Sequence, residues 1–538
     1  MTKILKLTNQ ARSKKINKIE KLKATRTPQE ALAELENYAK EGYSSIPKED
    51  RDHFLKAFGI FDKKKVHGDN SFMLRVRIPG GQLTPAQAIK IGELAKNYGK
   101  DYIDITTRQQ IELRYLKIED LPTILHELDS IGISTYQTGV DNFRNIVTSA
   151  FDGIGEESFI ECMPIIESLQ AIFLKKEEWL NKLPRKFNTA ILGNRKNDCN
   201  IYGHDCCFVL AQRGGNLGFN VYLGGRVGIQ ASDANLFVTV DEVEPFYRTL
   251  IELFKTYGFR DNRNKNRLHF LIEAVGLQNL VESIRAESGI DFAHHGTNLV
   301  YIEHRIPEDA VIELNNQRVA IAYSIPSGIF SGSDMLLAGE TAMRYDAFVR
   351  LSVEQSFYIA GVPKQSVEAI KSEELYSKYE QYNNPYFKNL IACAGTATCA
   401  FGVIPNKPDA IELSTYLSKE VPMQDAKIRI YWSACPKGCG IHGIADIGLE
   451  GCKAKDEKGN SVDGVHIFLG GKATTHALEA RMLYKAVPLS KAKYLIKGLV
   501  EIYKNEQFVG ESFESFDTRV LHRLSVEEIE EKIRGWRT

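Results

Sequence analysis

Two cysteine pairs, Cys393 with Cys399 and Cys435 with Cys439, carry the sharpest chemical signal in this sequence. Zinc sites draw their cysteines in pairs spaced two to four residues apart, whereas five residues separate Cys393 from Cys399. Four thiolates supplied by two loops suit an iron-sulfur cubane instead. The second pair lies in Ser433-Ala434-Cys435-Pro436-Lys437-Gly438-Cys439-Gly440, where proline and glycines fold a turn whose amide N–H groups point at thiolate sulfur. Such a centre moves electrons. The competing reading is four unrelated buried thiols.

A second set of residues is cationic and falls in short segments of the first half: Arg75 and Arg77, Arg108 and Arg114, Arg144, and Arg185 with Lys186. Each reads as a strand or strand edge, and strand alternation puts Arg75 and Arg77 on one face. Taken singly, any of these segments is also what a solvated surface shows. Their attachment to Pro79-Gly80-Gly81 and Thr106-Thr107-Arg108-Gln109 favours a site. Guanidinium groups bind carboxylates bidentately and hold their charge when partly buried, which suits a polycarboxylate macrocycle or a small oxyanion. A lysine adds a proton that can move.

The elements that must position these groups repeat at an offset near 247 residues. Ile78-Pro79-Gly80-Gly81 is matched by Ile325-Pro326-Ser327-Gly328, each after an alternating strand, 72–77 and 319–324. A helical stretch follows, then a second strand, 103–116 and 348–360, then a helix from near Leu121 or Ser366. Val221-Tyr222-Leu223-Gly224-Gly225 is echoed by Ile467-Phe468-Leu469-Gly470-Gly471. Each copy therefore reads as a ferredoxin-like strand-helix-strand-helix piece and a larger α/β piece. A ligand then sits naturally between the halves. They differ in chemistry: position 108 is set against Gln355, the first copy supplies cations, and the second supplies the cysteine array. Cys199, Cys206 and Cys207 form no readable site.

A chain of 538 residues, 43% of them hydrophobic, can bury several cores. Formal charge is zero, from 69 basic and 69 acidic residues, so a nucleic-acid or membrane-coating surface is not expected. The nine cysteines show no disulfide-scaffold pattern, which fits a reducing cytoplasm. No apolar run reaches membrane-spanning length. The start is basic and nearly free of acids, which leaves an organelle transit peptide open, but serine is scarce and a solvated N-terminal arm is the preferred reading. Neither GxGxxG nor a P-loop occurs, so nicotinamide nucleotides are not expected as direct donors.

On the cysteine array and the cationic motifs, residues 60 to 525 resemble the sulfite and nitrite reductase hemoproteins, which couple siroheme to a [4Fe-4S] cluster. The resemblance implies an α+β class: a duplicated nitrite/sulfite reductase fold, each copy a ferredoxin-like half-domain plus a larger α/β domain, with the cofactors at the interface. Its units would be an N-terminal arm and helical segment (1–60), a first half-domain (61–150), a siroheme-binding α/β domain (151–310), a second half-domain (311–380), and a cluster and siroheme domain (381–538). Cys393, Cys399, Cys435 and Cys439 would hold the cluster, with Cys439 also bridging to siroheme iron. Arg75, Arg144, Lys186 and Asn188 match the family's oxyanion-binding positions. Thr107, Arg108, Gln109, Arg114, Arg185 and Arg267 match positions that contact siroheme, and Arg77 joins them; Arg267 would precede a strand over 268–272. Thr148 to Asp152 departs from the family's usual wording.

The resemblance implies six-electron reduction of nitrite to ammonium, or, as the alternative, of sulfite to sulfide. Asn188 and Arg114 stand where sulfite-reducing members usually carry lysine and histidine, and so point to nitrite, a monoanion that needs one fewer cation than sulfite. A small ferredoxin is the economical donor, with a reductase flavoprotein as the alternative. Lys63-Lys64-Lys65 could dock its acidic face, although such runs are often simple solvated surface. A monomer serving assimilation is expected.

Overall fold

The computed structural model describes residues 3–535 apart from 14, 227, 302–306, 308, 425 and 474–478. Its first half-domain is an antiparallel sheet in which Phe72–Val76 pairs with Ile111–Leu116, and that strand with Ile103–Ile105. The stretch expected as one strand over 103–116 is a hairpin. It is broken by a turn in which the Thr106 N–H donates to the Gln110 carbonyl at 2.9 Å and Gln109 takes φ 52°. The second half-domain repeats this with Arg318–Tyr323, Phe357–Pro363 and Phe348–Leu351. Its turn closes from Ser352 N–H to Ser356 carbonyl at 2.9 Å, with Gln355 at φ 60°. The conformational partner of Gln355 is therefore Gln109, one residue later than the sequence comparison placed it, and Arg108 is answered by Glu354.

The two half-domains exchange edge strands. Gln82–Leu83 of the first copy pairs with Phe348–Leu351, and Ile329–Phe330 of the second pairs with Ile103–Ile105. The repeated Ile-Pro-x-Gly turns make this possible. Gly81 and Gly328 sit at φ 70° and 69°, and a Cβ would lie 2.8 Å from the Leu351 carbonyl oxygen in one and 2.5 Å from that of Ile105 in the other. Gln109 Nε2 donates to the Leu351 carbonyl at 2.9 Å, and Gln355 Nε2 to the Ile105 carbonyl at 3.0 Å. Each half thus hydrogen-bonds the backbone of the other through equivalent glutamines.

The larger units are also duplicates. Phe143–Val147, Phe187–Leu192, Cys206–Arg213, Asn216–Leu223 and Ser232–Val238 lie side by side in that order, the first two joins parallel and the last two antiparallel. Leu390–Ala392, Ile430–Ser433, Ile447–Lys455, Ser461–Leu469 and Arg481–Pro488 repeat both the order and the senses. Phe143–Val147 falls inside the stretch expected to be half-domain, but its pairing puts it in the α/β sheet.

Two further expectations change. The stretch 268–272 is part of a helix, Leu268–Val275, because Leu268, Leu271 and Val275 recur at helical spacing and all three are buried. The N-terminal segment is not a loose arm. Helix Lys3–Ala11 turns Ile4 and Thr8 inward with no exposed surface, and Arg12 Nη2 donates to the Thr256 carbonyl at 2.9 Å. Burying an Ile4/Leu7 stripe against the α/β core outweighs the solvation of its lysines, which remain outside.

Candidate functional site

Leu390–Ala392 and Ile430–Ser433 are neighbouring parallel strands, with Ala392 beside Trp432, so the loops that leave their carboxyl ends start together. One loop carries Cys393 and Cys399, the other Cys435 and Cys439. Glycines let the loops close. A Cβ on Gly395, already at φ 67°, would come within 1.8 Å of the Pro405 carbonyl oxygen, and one on Gly440 within 1.8 Å of that of Trp432. The Ala434 N–H donates to Cys393 Sγ at 3.1 Å, and Asn406 Nδ2 donates to the Cys393 carbonyl at 2.7 Å. Ser433 Oγ accepts from the Gly440 N–H at 3.0 Å and meets His442 Nδ1 at 2.9 Å, fixing the turn behind Cys439. Burial pushes the Cys393 thiol up to about 11 against the pull of the Ala434 N–H, with Cys439 and Cys399 adding like-charge repulsion. Burial and the same two neighbours raise Cys435. Cys393 and Cys435 therefore both feel the charges of Cys399 and Cys439.

Cys439 is exposed, and its charge acts on Arg108 and Lys186, which line a cavity between the two copies. This cavity, partly open to solvent, is lined from the first copy by Thr107, Arg108, Lys186, Asn188 and Arg267, and from the second by Ile441, Ile444 and Ala473. Its electrostatics are lopsided. The Lys186 ammonium is held well below its ordinary value by burial and then by Arg108, Arg267 and Arg144, with Cys439 the opposing negative group. Burial and Arg75 bring Arg108 down to about 10. Burial, then Arg75, Arg108 and Arg185, lower Arg144 strongly. A nest of cations that mutually depress one another attracts an anion. Asn188 contributes a neutral amide whose buried Oδ1 has no partner.

The other expected residues stand around this nest in distinct roles. Arg267 lines the cavity while Asp205, fully buried, grips it through Nε at 2.9 Å and Nη2 at 2.6 Å. The same carboxylate accepts from the Asn188 N–H at 2.8 Å, which ties two lining residues together. Arg144 donates to the Gly139, Val140 and Asn142 carbonyls at 3.0–3.2 Å. Arg185 lies 3.7 Å from Asp141, which also binds Arg263 and Lys23. Gln109 bridges the copies instead of reaching the cavity.

Arg77 and Arg114 were expected at the macrocycle, and the structure gives them other partners. Arg77 is almost fully buried, and its guanidinium donates to the carbonyls of Tyr136, Phe143 and Arg144, so it holds the segment that presents Arg144. Arg114 belongs to an ionic ladder. Lys407 Nζ lies 2.6 Å from Asp104, Asp104 binds Arg114, Arg114 Nη2 meets Glu112 at 2.5 Å, and Glu112 meets Arg75 at 2.7 Å. The ladder runs from the residue after Asn406, which props the cluster loop, to Arg75.

Sequence reasoning missed Asn200, His204, Arg226 and Gln230, all on the cavity wall. Arg226 had a signal: it follows the Leu-Gly-Gly turn that identified the repeat. His204 is neutral, since burial brings it down to about 4. Asn200 and His204 sit on an irregular loop before Cys206–Arg213 and leave no periodic trace.

This fold and this site define a class of redox protein in which a cysteine cluster faces a cationic cofactor cavity. The family model for the nitrite and sulphite reductase 4Fe-4S domain matches residues 139–292 and again 386–534, and that for the nitrite/sulfite reductase ferredoxin-like half domain matches 65–131. The chain belongs to the nitrite and sulphite reductase family. A ferredoxin–nitrite reductase of Synechococcus elongatus is 33% identical over 478 residues, covering 86% of this chain and 91% of that protein. One from Leptolyngbya laminosa is 30% identical, covering 90% of this chain and 96% of that protein. The solved structure of the Mycobacterium tuberculosis NirA protein shares the fold, with TM-score 0.86 at 24% identity over 96% of this chain and 98% of that one.

The residues present fit the cofactors of that family. Among the described residues no three Cys, His, Asp or Glu side chains converge as ligands of one ion would. A cubane instead takes one thiolate at each of four corners, and two glycine-bent loops deliver four. The cavity fits a carboxylate-rich tetrapyrrole: Arg108, Arg226 and Arg267 on its wall would hold the acids, and Ile229, Ile441 and Ile444 would offer apolar surface to a ring.

Proposed function

We propose that the chain reduces nitrite to ammonium in nitrite assimilation, with six electrons delivered singly by a ferredoxin. The observation that carries this reading is the position of Lys186 and Asn188 on the wall of the cation-rich cavity that Cys439 faces. The curated relatives named as ferredoxin–nitrite reductases support it over most of the chain. When bound, the [4Fe-4S] cluster and the siroheme would pass the ferredoxin's electrons on to an anion held at the siroheme.

The protein's share is charge and protons. Forming ammonium and two waters from nitrite consumes eight protons, so acids must stand at the reacting oxygens. Lys186 is the general acid: its ammonium is depressed by burial and three arginines, which makes it a readier donor than an ordinary lysine. Arg144, fixed by three backbone carbonyls, and Arg75, half neutralised by Glu112, offset the anion's charge. Arg108, Arg226 and Arg267 hold the macrocycle's carboxylates. Asn188 keeps the site one cation short of what a dianion needs, which favours nitrite over sulfite.

Electrons enter on the cysteine face. Lys63 Nζ donates to the Thr398 carbonyl at 3.2 Å, beside Cys399, and Lys64 and Lys65 next to it are exposed. An acidic carrier docking there would reach the cluster by the shortest path. The cavity is closed by this chain's own two copies, which supports a monomer, and unpaired thiols support a reducing compartment such as the cytoplasm. No described helix is long and apolar enough to cross a membrane.

The test is Lys186→Met in anaerobically purified protein. Ammonium production should fall about a hundredfold or more, while siroheme absorption and the cluster's paramagnetic signal stay at wild-type levels. Parallel loss of cofactor and turnover would make Lys186 a cofactor ligand instead.

A further inference from the structure

The turn that carries Arg108 into the cofactor cavity has a twin in the second copy, and the twin carries Glu354. An acid in place of a cation cannot serve an anion, yet Glu354 is not on the surface. It lines a second, small cavity of about 10 Å³, with Ser352, Ser356, Tyr358 and Lys388, and is only 3% exposed.

Between the two cavities lies a string of buried polar groups. Asp198 senses the charge of Glu354, and its Oδ2 accepts from Ser149 Oγ at 2.8 Å while Oδ1 has no partner. The next two residues, Cys199 and Asn200, already line the cofactor cavity. The Tyr431 hydroxyl meets the Asn200 amide, and among the described residues neither side chain has another hydrogen-bond partner. Unpaired buried polar atoms cost about 1–3 kcal/mol each, and proteins satisfy them with ordered water. A run of such buried polar groups from one cavity toward another offers ordered water a succession of partners.

We propose that Glu354 and Asp198 relay protons from the second cavity into the cofactor cavity, a role that rests on the proposed reduction of nitrite. In each transfer the Glu354 O–H bond breaks and its proton passes to the Asp198 carboxylate. Asp198 then releases a proton past Asn200 and Tyr431 to the Lys186 amine, which has just given its own to the substrate oxygen. Glu354 regains a proton from solvent water entering the second cavity. No electrons move along this route, and each departing proton is replaced.

The pair holds protons in the useful range. Burial pushes Glu354 up to about 8 and Asp198 up to about 7. Among the described residues, the titratable and charged groups around them include Asp152, Cys199, Tyr358, Tyr431, Lys388 and Arg429. Arg429 pulls Glu354 down, but it already meets Asp446 at 2.7 Å and Glu514 at 3.1 Å, and burial outweighs it.

The experiment uses holoenzyme carrying Glu354→Gln or Asp198→Asn, isosteric changes that keep hydrogen bonding and remove titration. Infrared difference spectra across neutral pH should show the carbonyl stretch of a protonated carboxylic acid in wild type and its loss in Glu354→Gln. With nitrite, kcat should drop at least about tenfold and the solvent deuterium isotope effect should rise, with unchanged KM and siroheme spectrum; Glu354→Asp should recover part of the rate. Wild-type kcat and isotope effect in both variants would overturn the relay, as would no carboxylic acid band near pH 7 in wild type. If wild type makes no ammonium from nitrite, the functional reading and the relay fall together, whereas intact wild-type turnover with silent variants removes the relay alone. Asp198→Asn decides the matter if Glu354→Gln does not fold.

Discussion

At the scale of single residues, chemistry was legible where spacing constrains it and obscure where only geometry does. The four cysteines announce themselves because a cluster needs two short-spaced pairs at loop positions. Lys186 and Asn188 are legible for a related reason: they flank the start of strand Phe187–Leu192. Arg77 and Arg114 mislead because a sequence shows a charge but not its counter-charge. For Arg114 that counter-charge was in reach. Glu112 is two residues away on the same strand face, and Asp104 is its cross-strand neighbour. Among the cavity residues Asn188 is the most informative to change. Replacing its amide with a cation should favour the dianion, so Asn188→Lys should raise the ratio of sulfite to nitrite turnover by about tenfold, a difference of about 1.4 kcal/mol. Side-by-side assays of sulfide and ammonium from one preparation check this.

At the scale of elements, the ionic ladder is the feature that strand and helix assignment cannot show. Lys407, Asp104, Arg114, Glu112 and Arg75 join the start of helix Lys407–Glu420 to three strands of the first half-domain. Arg114 and Lys407 hold Asp104 below the usual carboxylate range against its burial, and Arg114 and Arg75 do the same for Glu112. A carboxylate lowered in the folded state adds stability that is full above its unfolded value and lost as pH falls through the folded one. The protein should therefore lose stability as pH falls below about 4. Asp104→Asn strands Lys407 and part of Arg114 in the interior, and should cost about 3–5 kcal/mol at neutral pH while flattening the acid limb. Chemical denaturation at neutral and acid pH measures both.

At the scale of the whole molecule, the duplication was readable and the way the copies join was not. The repeated Ile-Pro-x-Gly and Leu-Gly-Gly turns set the offset, because those positions need particular backbone shapes. Sequence comparison could not show that strands Gln82–Leu83 and Ile329–Phe330 each complete the other copy's sheet. It also could not show that Gln109 and Gln355 hydrogen-bond across the join. Two-residue strands carry no periodic signal, and a one-residue slip in the turn had set Gln355 against the wrong partner. Exchanged edges make each half incomplete alone. Residues 1–310 and 311–538 expressed separately should be insoluble or molten, and co-expressed they should co-purify as one complex, as pull-down and near-ultraviolet circular dichroism would show.

The central claim is that this cationic cavity serves nitrite. The measurement that meets it most directly is steady-state turnover of anaerobically purified, siroheme-loaded protein with reduced methyl viologen, on nitrite and on sulfite, with ammonium and sulfide both quantified. Ammonium formation with a clear preference for nitrite is the expected result. Faster release of sulfide from sulfite would contradict it and would show that Asn188 does not set the substrate's charge.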